Sequence, residues 1–266
     1  MKRDRIQEIK KVFLSKKRVT NTELCETFNV SIETVRRDLK LLEKEGFIHK
    51  VYGGARLAES TGVSPSIEAW NTRIDRNDLA KKTIAAAIAD MIPNGCSVFL
   101  DTGTSVFEIV PFLKEKVNLT VLTNSIRVAQ ELGMCNNITV YFIGGIIKFD
   151  TLASTGFFAT EFLSYFYHID YAVFSCDGFL PGQGTTEFSF EVADVKKTVL
   201  EKVNHVIAAI DHTKIGIQGN CLCCPADKIG LVVVDSFIPP ATLEALQKSG
   251  LNVVVAQPNA KKNAAN

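Results

Sequence analysis

Polar residues that are suited to anion binding follow an apolar run near the middle of the chain. The run Val98–Leu100 is followed by Asp101, Thr102, Gly103, Thr104 and Ser105. A glycine lets backbone amides approach an anion, hydroxyls add hydrogen-bond donors, and a helix N-terminus adds partial positive charge. A strand, this turn and a helix in succession therefore predict an anion site, although hydroxyl-rich helix caps with a purely structural role have the same composition.

Later apolar runs end in further hydrogen-bonding groups. Lys214 and Lys148 are the cations that we expect at this edge. Carboxylates accept hydrogen bonds from sugar hydroxyls, whereas amides, hydroxyls and lysine hold a phosphate, so the mixture predicts a site for a phosphorylated sugar. Beyond the first turn, the candidate residues are Thr123, Asn124, Ser125, Gly145, Lys148, Asp177, Gly178, Thr185, Glu191 and Lys214.

The elements that position these groups alternate between strand-like apolar runs and helical periods. This is the α/β pattern, in which helices cover a mainly parallel sheet and ligands gather beyond the carboxyl ends of the strands. The predicted strands are Val98–Leu100, Leu119–Leu122, Thr139–Ile143, Tyr171–Ser175, His205–Ile210, Leu231–Val234 and Val253–Ala256.

Charge is unevenly distributed along the 266 residues, although the formal net charge is only +1. Residues 1–56 hold 14 Lys and Arg against 8 Asp and Glu, whereas residues 57–266 hold 16 against 21. A basic segment favours nucleic acid, because neutralising phosphates supplies most non-specific DNA affinity. A solvated basic helix face would give the same balance.

Three amphipathic helices are predicted at the N-terminus. The first closes near Lys17, and the second begins at a capping-box sequence, Thr20 to Glu23, and stops near Asn29. Ser31 caps the third helix, whose apolar residues lie on one face. Two short helices joined by a short turn have the geometry of a helix-turn-helix.

The third helix leaves arginines exposed near its start, where a recognition helix meets base edges and phosphates. A solvated helix face remains the alternative explanation for them. The β-prone segment after Gly46, with its Gly53-Gly54 turn, predicts a wing. The candidate DNA contacts are Thr20, Ser31, Glu33, Thr34, Arg36, Arg37, Lys40, Lys50, Tyr52 and Arg56.

Seven cysteines raise the question of metal or disulfide sites, above all the cluster Cys221, Cys223 and Cys224. A structural zinc site needs four ligands, usually in paired groups, and the other cysteines are scattered singly. An odd count without a secretory signal fits reduced thiols in a cytoplasmic protein. We therefore expect no metal, no cofactor and, since no long apolar run is present, no contact with a membrane.

Two stretches carry a family resemblance. The string SIETVRRDLKLLEKEGFI from Ser31, followed by HKVYGGA up to Ala55, closely resembles the signature of the DeoR family of sugar-metabolism regulators. In the second half, the DTGTS and TNS turns and the later strand ends resemble the effector domain of that family in order. The resemblance implies a winged helix-turn-helix domain plus an α/β domain similar to ribose-5-phosphate isomerase and glucosamine-phosphate deaminase.

The sequence also departs from the family pattern. Lys148 stands where the family often has an arginine, which keeps the charge but loses the planar two-donor fork. Neither the stretch Cys221–Cys224 nor the loop Phe179–Gly182 has a counterpart that we can match. These departures leave the identity of the effector open.

The domain prediction is a DNA-binding domain at 1–57, a linker at 58–74, an effector domain at 75–258 and a tail at 259–266. The resemblance implies a homo-oligomeric repressor of a sugar operon, whose binding to double-stranded operator DNA is modulated by a phosphorylated sugar. The alternative is an isomerase-like enzyme that uses Asp177 and Glu191 as acid or base. Because the isomerase-type Asp-Gly-x-Asp string loses its second carboxylate at Leu180, we expect no catalytic residues.

Overall fold

The chain forms two compact units, Met1–Val63 and Ser64–Asn266, whose boundary falls inside the predicted linker. The computed structural model describes residues 5–6, 8–9, 12–13, 16, 18–44, 48–51, 53–57, 70–74 and 76–258. The predicted tail at 259–266 lies outside the described residues. No described helix is long and apolar enough to cross a membrane.

The first unit combines helices with a small antiparallel sheet. The described residues among 5–16 are helical, as predicted, and bury Ile9 and Phe13 against Leu24 and Leu39. The strand β1 was not predicted, and it pairs with β3 to give the sheet order β1-β3-β2. The further elements are β1 (Arg18–Thr20), α1 (Asn21–Phe28), α2 (Ile32–Lys44), β2 (Ile48–Val51) and β3 (Gly54–Leu57).

Local hydrogen bonds explain where the first helices begin and end. The Thr20 hydroxyl accepts from the Glu23 amide, while the Glu23 carboxylate accepts from the Thr20 amide at 2.8 Å, so the predicted capping box is present. Asn29 ends α1 in the left-handed conformation at φ 48°. Ser31 accepts from the Thr34 amide at 3.3 Å and thereby caps α2.

The second unit is built on a seven-stranded parallel sheet in the order β15-β14-β12-β9-β4-β5-β6. Each of the seven predicted apolar runs forms one of its strands, and the predicted fold class is confirmed. The strands are β4 (Ser97–Leu100), β5 (Leu119–Thr123), β6 (Ile138–Phe142), β9 (Ile169–Phe174), β12 (Val203–Ile210), β14 (Leu231–Asp235) and β15 (Val253–Ala256).

Helices cover both faces of this sheet. Val98 and Leu100 of β4 point into one core, whereas Phe99 points into the other, because successive strand residues face opposite sides. The first core contains α4 (Asp78–Met91), α5 (Thr104–Phe107), α6 (Val110–Leu113) and α7 (Ile126–Leu132). The second contains α8 (Phe157–Ser164), α9 (Phe190–Leu200) and α10 (Pro240–Lys248).

Helix α3 (Trp70–Ile74) lies in the segment that the sequence assigns to the linker, yet it packs within the second unit. The Trp70 amide donates to the Asp150 carbonyl at 2.8 Å, and its indole meets the Phe107 ring edge-on at 5.2 Å. The Arg127 guanidinium lies 5.3 Å from the centre of the same indole. These contacts fix α3 beside α5.

Two small sheets stand beside the mouth of the large one. The pair β7 (Ile146–Lys148) and β8 (Ala153–Thr155) forms one of them. The other has the order β10-β11-β13 and consists of β10 (Gly178–Leu180), β11 (Gly184–Glu187) and β13 (Cys221–Pro225). The unmatched cysteine stretch is therefore a strand, in which Cys223 and Cys224 are buried.

Candidate functional site

Helix α2 presents a polar face that includes an unpaired cationic row. Arg36, Arg37 and Lys40 are exposed, as is Glu33, and the three cations make no hydrogen bond or ion pair among the described residues. The opposite face buries its apolar side chains completely. Thr34 is half-buried, and its hydroxyl lies 3.1 Å from that of Ser31. The geometry leaves the predicted recognition side chains available.

An ion pair that is not predicted from the sequence holds the buried face of α2. Arg5 Nε lies 2.8 Å from Oδ2 of Asp38, whose side chain is only 1% exposed. The Asp38 carboxylate raises the pKa of Arg5 through this hydrogen bond. Helical spacing was the available signal, since Asp38 falls on the same face as Val35 and Leu42.

The other candidate DNA contacts differ in how far the structure describes them. Lys50 of the wing is ion-paired with Glu43 at 2.7 Å. The hydroxyl of Thr20 is engaged in the capping box. Tyr52 and the side chain of Arg56 lie outside the described residues.

The second unit contains a charged cluster at the carboxyl ends of β4 and β9. Lys196 Nζ lies 2.9 Å from Oδ2 of Asp101, donates to the Ser175 carbonyl at 2.7 Å, and is ion-paired with Glu187. The side chains of Lys196, Asp101 and Glu187 are 2%, 1% and 7% exposed. The sequence pattern predicts Asp101 as a site residue but neither of its buried partners.

Burial and charge set the protonation of this cluster. Burial acts to lower the pKa of Lys196, but the carboxylates of Asp101 and Glu187 outweigh it and raise that pKa well above its ordinary value. Burial raises the pKa of Glu187 well above the usual range, and the neighbouring Asp177 carboxylate adds to the effect. The neighbouring carboxylates therefore favour the charged form of Lys196, whereas burial and Asp177 favour the protonated form of Glu187.

Gly103 has a packing role that differs from the predicted one. A Cβ atom at this position would lie 1.6 Å from the Ser175 hydroxyl oxygen, so no other residue fits without movement. Ser175 also donates to Asp101 through its amide at 3.0 Å. The following helix α5 has only four residues, so its dipole is smaller than the sequence analysis expects.

Unpaired polar atoms gather around the same edge of the sheet. Buried polar groups are normally hydrogen-bonded, so each exception needs an explanation. Among the described residues, the buried side-chain atoms without a partner at this edge are Asp101 Oδ1, Ser105 Oγ, Asn124 Oδ1, Thr151 Oγ1, Ser154 Oγ and Arg73 Nε. They comprise acceptors and donors, and a polar ligand would satisfy both.

Two neighbouring cavities open at this edge. The inner one, here called the cleft, is narrow, with a volume of about 20 Å³, and is lined by Asp101, Thr102, Gly103 and Asp177 from the predicted set. The outer cavity has a volume of about 200 Å³ and is lined by Lys148 and Glu191. The two cavities share the lining residues Thr151, Ser189 and Val192.

The predicted residues of the outer cavity bind each other. Lys148 Nζ lies 2.9 Å from Glu191 Oε1. The Ser189 hydroxyl, which donates to Glu191 at 2.7 Å, and this lysine lower the pKa of Glu191 to about 2. Lys148 is therefore already balanced by a carboxylate before any ligand arrives.

The structure places the remaining predicted residues around the cleft rather than in its lining. Ser125 caps α7 by accepting from the Val128 amide, and Thr123 donates to the Leu100 carbonyl at 2.7 Å. Thr104 is buried in the first turn of α5. A Cβ on Gly145 would lie 2.4 Å from the Thr155 carbonyl, and one on Gly178 would lie 2.2 Å from the Ile217 carbonyl.

Thr185 is not brought to the cleft. Its side chain is fully buried in the sheet of β10, β11 and β13, where its hydroxyl lies 3.0 Å from the Cys223 sulfur. Burial raises the pKa of the Cys223 thiol to about 11. Thr185 therefore stabilises the small sheet instead of meeting a ligand.

Asp211, near the same edge of the sheet, contacts one lysine and one asparagine. Lys214 Nζ lies 3.9 Å from Asp211 Oδ2, and Asn77 donates to the other oxygen at 3.2 Å. Burial acts to raise the pKa of Asp177, but hydrogen bonds from Glu187 and Phe188, together with the charge of Lys214, lower it. The charge of Lys214 thus acts on Asp177, although Lys214 is not among the residues that line the cleft.

The expectation that Lys214 and Lys148 are the cations of the site is incomplete. Lys196 lies beneath the cleft, and Arg73 from α3 lines it with Nη1 3.8 Å from Asp177 Oδ1. Arg73 is not predicted from the sequence because it falls in the predicted linker. Lys196 is not predicted because a lysine between Val195 and Lys197 in a helix resembles a surface residue.

Comparison with known families decides the assignment. The DeoR-like helix-turn-helix domain model matches residues 5–61, and the DeoR C terminal sensor domain model matches residues 76–236. The chain belongs to the DeoR family of transcriptional regulators. The predicted recognition helix and the cleft thus lie, respectively, within the DNA-binding and the sensor regions of a DeoR-family regulator.

Relatives that match nearly the whole length of the chain are named as transcriptional regulators or repressors. The HTH-type transcriptional regulator GolR of Listeria innocua is 31% identical, over 90% of this chain and 93% of its own. The HTH-type transcriptional regulator IolR of Bacillus subtilis is 33% identical over 88% and 91%. The Glycerol-3-phosphate regulon repressor of Escherichia coli is 28% identical over 86% and 88%.

Solved structures with a similar fold include enzymes and translation factors. A ribose 5-phosphate isomerase A from Neisseria gonorrhoeae has a TM-score of 0.38 and 12% identity, with 52% of this chain and 53% of that chain covered. The eIF2B delta protein from Chaetomium thermophilum has a TM-score of 0.42 and 12% identity, with coverage of 77% and 63%.

Proposed function

We propose that this DeoR-family regulator represses a sugar-metabolism operon in the cytoplasm and is released from its operator by a phosphorylated sugar. The observation that carries the proposal is the set of buried, unpaired polar atoms at the carboxyl ends of the central strands. Leaving such atoms without partners costs about 1–3 kcal/mol each, and a ligand that satisfies them recovers that free energy.

The unpaired atoms divide into two chemical classes that match the two parts of a sugar phosphate. Asp101 Oδ1 and Asn124 Oδ1 are acceptors, and they suit the hydroxyl groups of the sugar. Arg73 Nε and the hydroxyls of Ser105 and Thr151 are donors, and they suit phosphate oxygens. The sugar and the phosphate thus have separate partners at one edge of the sheet.

Two names among the relatives support the effector class. One relative is a Glycerol-3-phosphate regulon repressor, and another is a Putative aga operon transcriptional repressor. In the proposal, the protein binds operator DNA as a homo-oligomer through Arg36, Arg37 and Lys40. The ligand lowers operator affinity by binding one arrangement of the protein more tightly than the other, since coupling requires a difference in affinity between two states.

Electrophoretic mobility shift on the promoter of an adjacent sugar operon tests the proposal. The full chain should retard the promoter fragment, and one member of a panel of sugar phosphates should release it, whereas the unphosphorylated sugars should not. Isothermal titration of the same ligand should show binding to the wild type and at least tenfold weaker binding to Arg73→Gln. Unchanged retardation across the whole panel would contradict the sensing half of the proposal.

An isomerase-like enzyme is the second candidate, favoured by the two carboxyl groups, of Glu187 and Asp177, that line the cleft. We propose that the cleft binds its ligand without turnover. Asp177 is held by the Phe188 amide at 3.0 Å and is close to Arg73, and Leu180 replaces a second carboxylate. Phosphorus NMR of a sugar phosphate incubated with the protein should show no new species, and a product peak would favour the enzyme.

A further inference from the structure

The second unit exposes an unusual group of large apolar side chains on one side. Six of them, here called the aromatic surface, belong to β6, β7, the residue after β7, and α8 with its C-cap. Each is between 42% and 85% exposed. The aromatic surface consists of Tyr141, Ile146, Phe149, Phe157, Phe158 and Tyr165.

Side-chain contacts and chain neighbours place several of these residues beside one another. The Tyr141 ring meets that of Phe166 at 5.4 Å, and Phe166 meets Phe162 of α8 at 5.8 Å. Phe157 and Phe158 meet each other at 5.7 Å. A Cβ on Gly156 would lie 3.4 Å from the end of the Ile146 side chain, which places β7 against the start of α8.

The size and composition of the aromatic surface match a stable protein interface. At roughly 150–250 Å² per large side chain, the six residues expose on the order of 800 Å², which is about what each partner buries in a standard interface. Largest patches on monomers are smaller, at about 300–600 Å². Only Lys148, Asp150 and Glu161 are charged between residues 141 and 167, and interface cores are depleted in charge.

The position of the aromatic surface in the fold also favours a protein interface. Strand β6 is at the edge of the described seven-stranded sheet, so its outer side has no neighbouring strand of that sheet. An exposed apolar edge favours association with another chain unless something covers it. We therefore expect another protein surface to cover this apolar edge in the functional protein.

We infer that a second copy of this chain covers the aromatic surface through a two-fold symmetric contact. The inference rests on the proposed oligomeric operator binding, because each chain supplies one helix-turn-helix and dimers of such proteins read two half-sites. A two-fold contact uses the same patch on both copies, and a patch of apolar rings is complementary to itself without matched charges.

The covered surface would adjoin the ligand cavities. Lys148 lies between Ile147 and Phe149 in the chain and also lines the outer cavity, which shares Thr151 and Ser189 with the cleft. A second copy seated on the aromatic surface therefore lies next to the residues that a ligand would move. This juxtaposition offers a short physical route from the cleft to the contact between copies.

Sedimentation velocity of the full chain over a hundredfold range of concentration tests the inference. The wild type should dimerise, or assemble further, and Phe158→Glu and Phe149→Glu should each raise the dissociation constant at least tenfold by burying a charge. Both side chains are more than 70% exposed, so the fold should tolerate the changes, and circular dichroism checks this. Met134→Glu, at an 83% exposed apolar residue outside the surface, is the matched control.

Two results would overturn the inference. A wild type that stays monomeric throughout the range would show that another partner covers the surface or that none does. An oligomer that both glutamate variants leave intact would place the contact elsewhere. Titration of the same samples with the sugar-phosphate panel decides the proposed sensing separately, since ligand binding to a monomeric variant leaves that proposal standing while the surface assignment fails.

Discussion

The ammonium of Lys196 lies 2.9 Å from one carboxylate oxygen of Asp101, and neither side chain is more than 2% exposed. The second oxygen of Asp101 is buried without a partner. Lys196 therefore fixes the orientation of Asp101 and leaves one acceptor directed at the cleft. A charged group that orients a ligand-binding residue in this way also has a large effect on folding.

Substituting Lys196 by Met should destabilise the protein by about 3–5 kcal/mol, because it leaves the Asp101 carboxylate buried without its cation. Urea unfolding of the variant measures the loss. Lys197→Met is the matched control, since Lys197 is the exposed neighbour on the same helix. Equal stability of the two variants would show that the buried ion pair contributes nothing to the fold.

Gly103→Ala should destabilise the protein by about 1–3 kcal/mol, the usual cost of overpacking, because the added methyl group would overlap the Ser175 hydroxyl. The double variant with Ser175→Gly should recover part of the loss, and a double-mutant cycle measures this coupling. Gly144→Ala serves as control, since nothing lies within 4 Å of its Cβ position. Additive losses in the cycle would contradict the proposed contact.

The parts of the fold that follow from local sequence pattern were predictable. Each buried strand of the large sheet is an apolar run of four to eight residues, and parallel strands buried on both faces have this pattern. Thr20 and Ser31 mark helix starts because capping depends on residues three positions apart. The turn at Asp101 was predictable because it directly follows an apolar strand.

The missed parts depend on contacts between distant residues. Strand β13 pairs with β11 across more than thirty residues, so nothing near Cys221 in the sequence indicates it. Lys196 is buried only because Asp101 and Glu187 come from two other elements. Arg73 reaches the cleft because Trp70 of α3 packs against Phe107. The sequence of a short helix after a polar stretch does not indicate that packing contact.

Arg36→Ala should weaken operator binding, and the result depends on what the arginine contacts. A lost phosphate contact should reduce the slope of log affinity against log salt by about 1, whereas a lost base contact should cost about 1–3 kcal/mol and relax the sequence preference. Mobility shift at several salt concentrations separates the two outcomes. Lys228→Ala, at an exposed residue of the second unit, should bind like the wild type.

Lys81 gives the protein a distinct pH dependence. Its buried ammonium donates to the Ile74 carbonyl at 3.3 Å, and burial, with the charge of Lys214, lowers its pKa to about 8. An unfolded lysine titrates near 10.4, so above pH 8 the unfolded chain binds more protons and stability rises with pH, by at most about 1.4 kcal/mol per unit. Urea unfolding at pH 7.5 and 9 should therefore show the wild type gaining on Lys81→Met, in which the remaining groups titrate alike. Parallel stabilities would refute the lowered pKa.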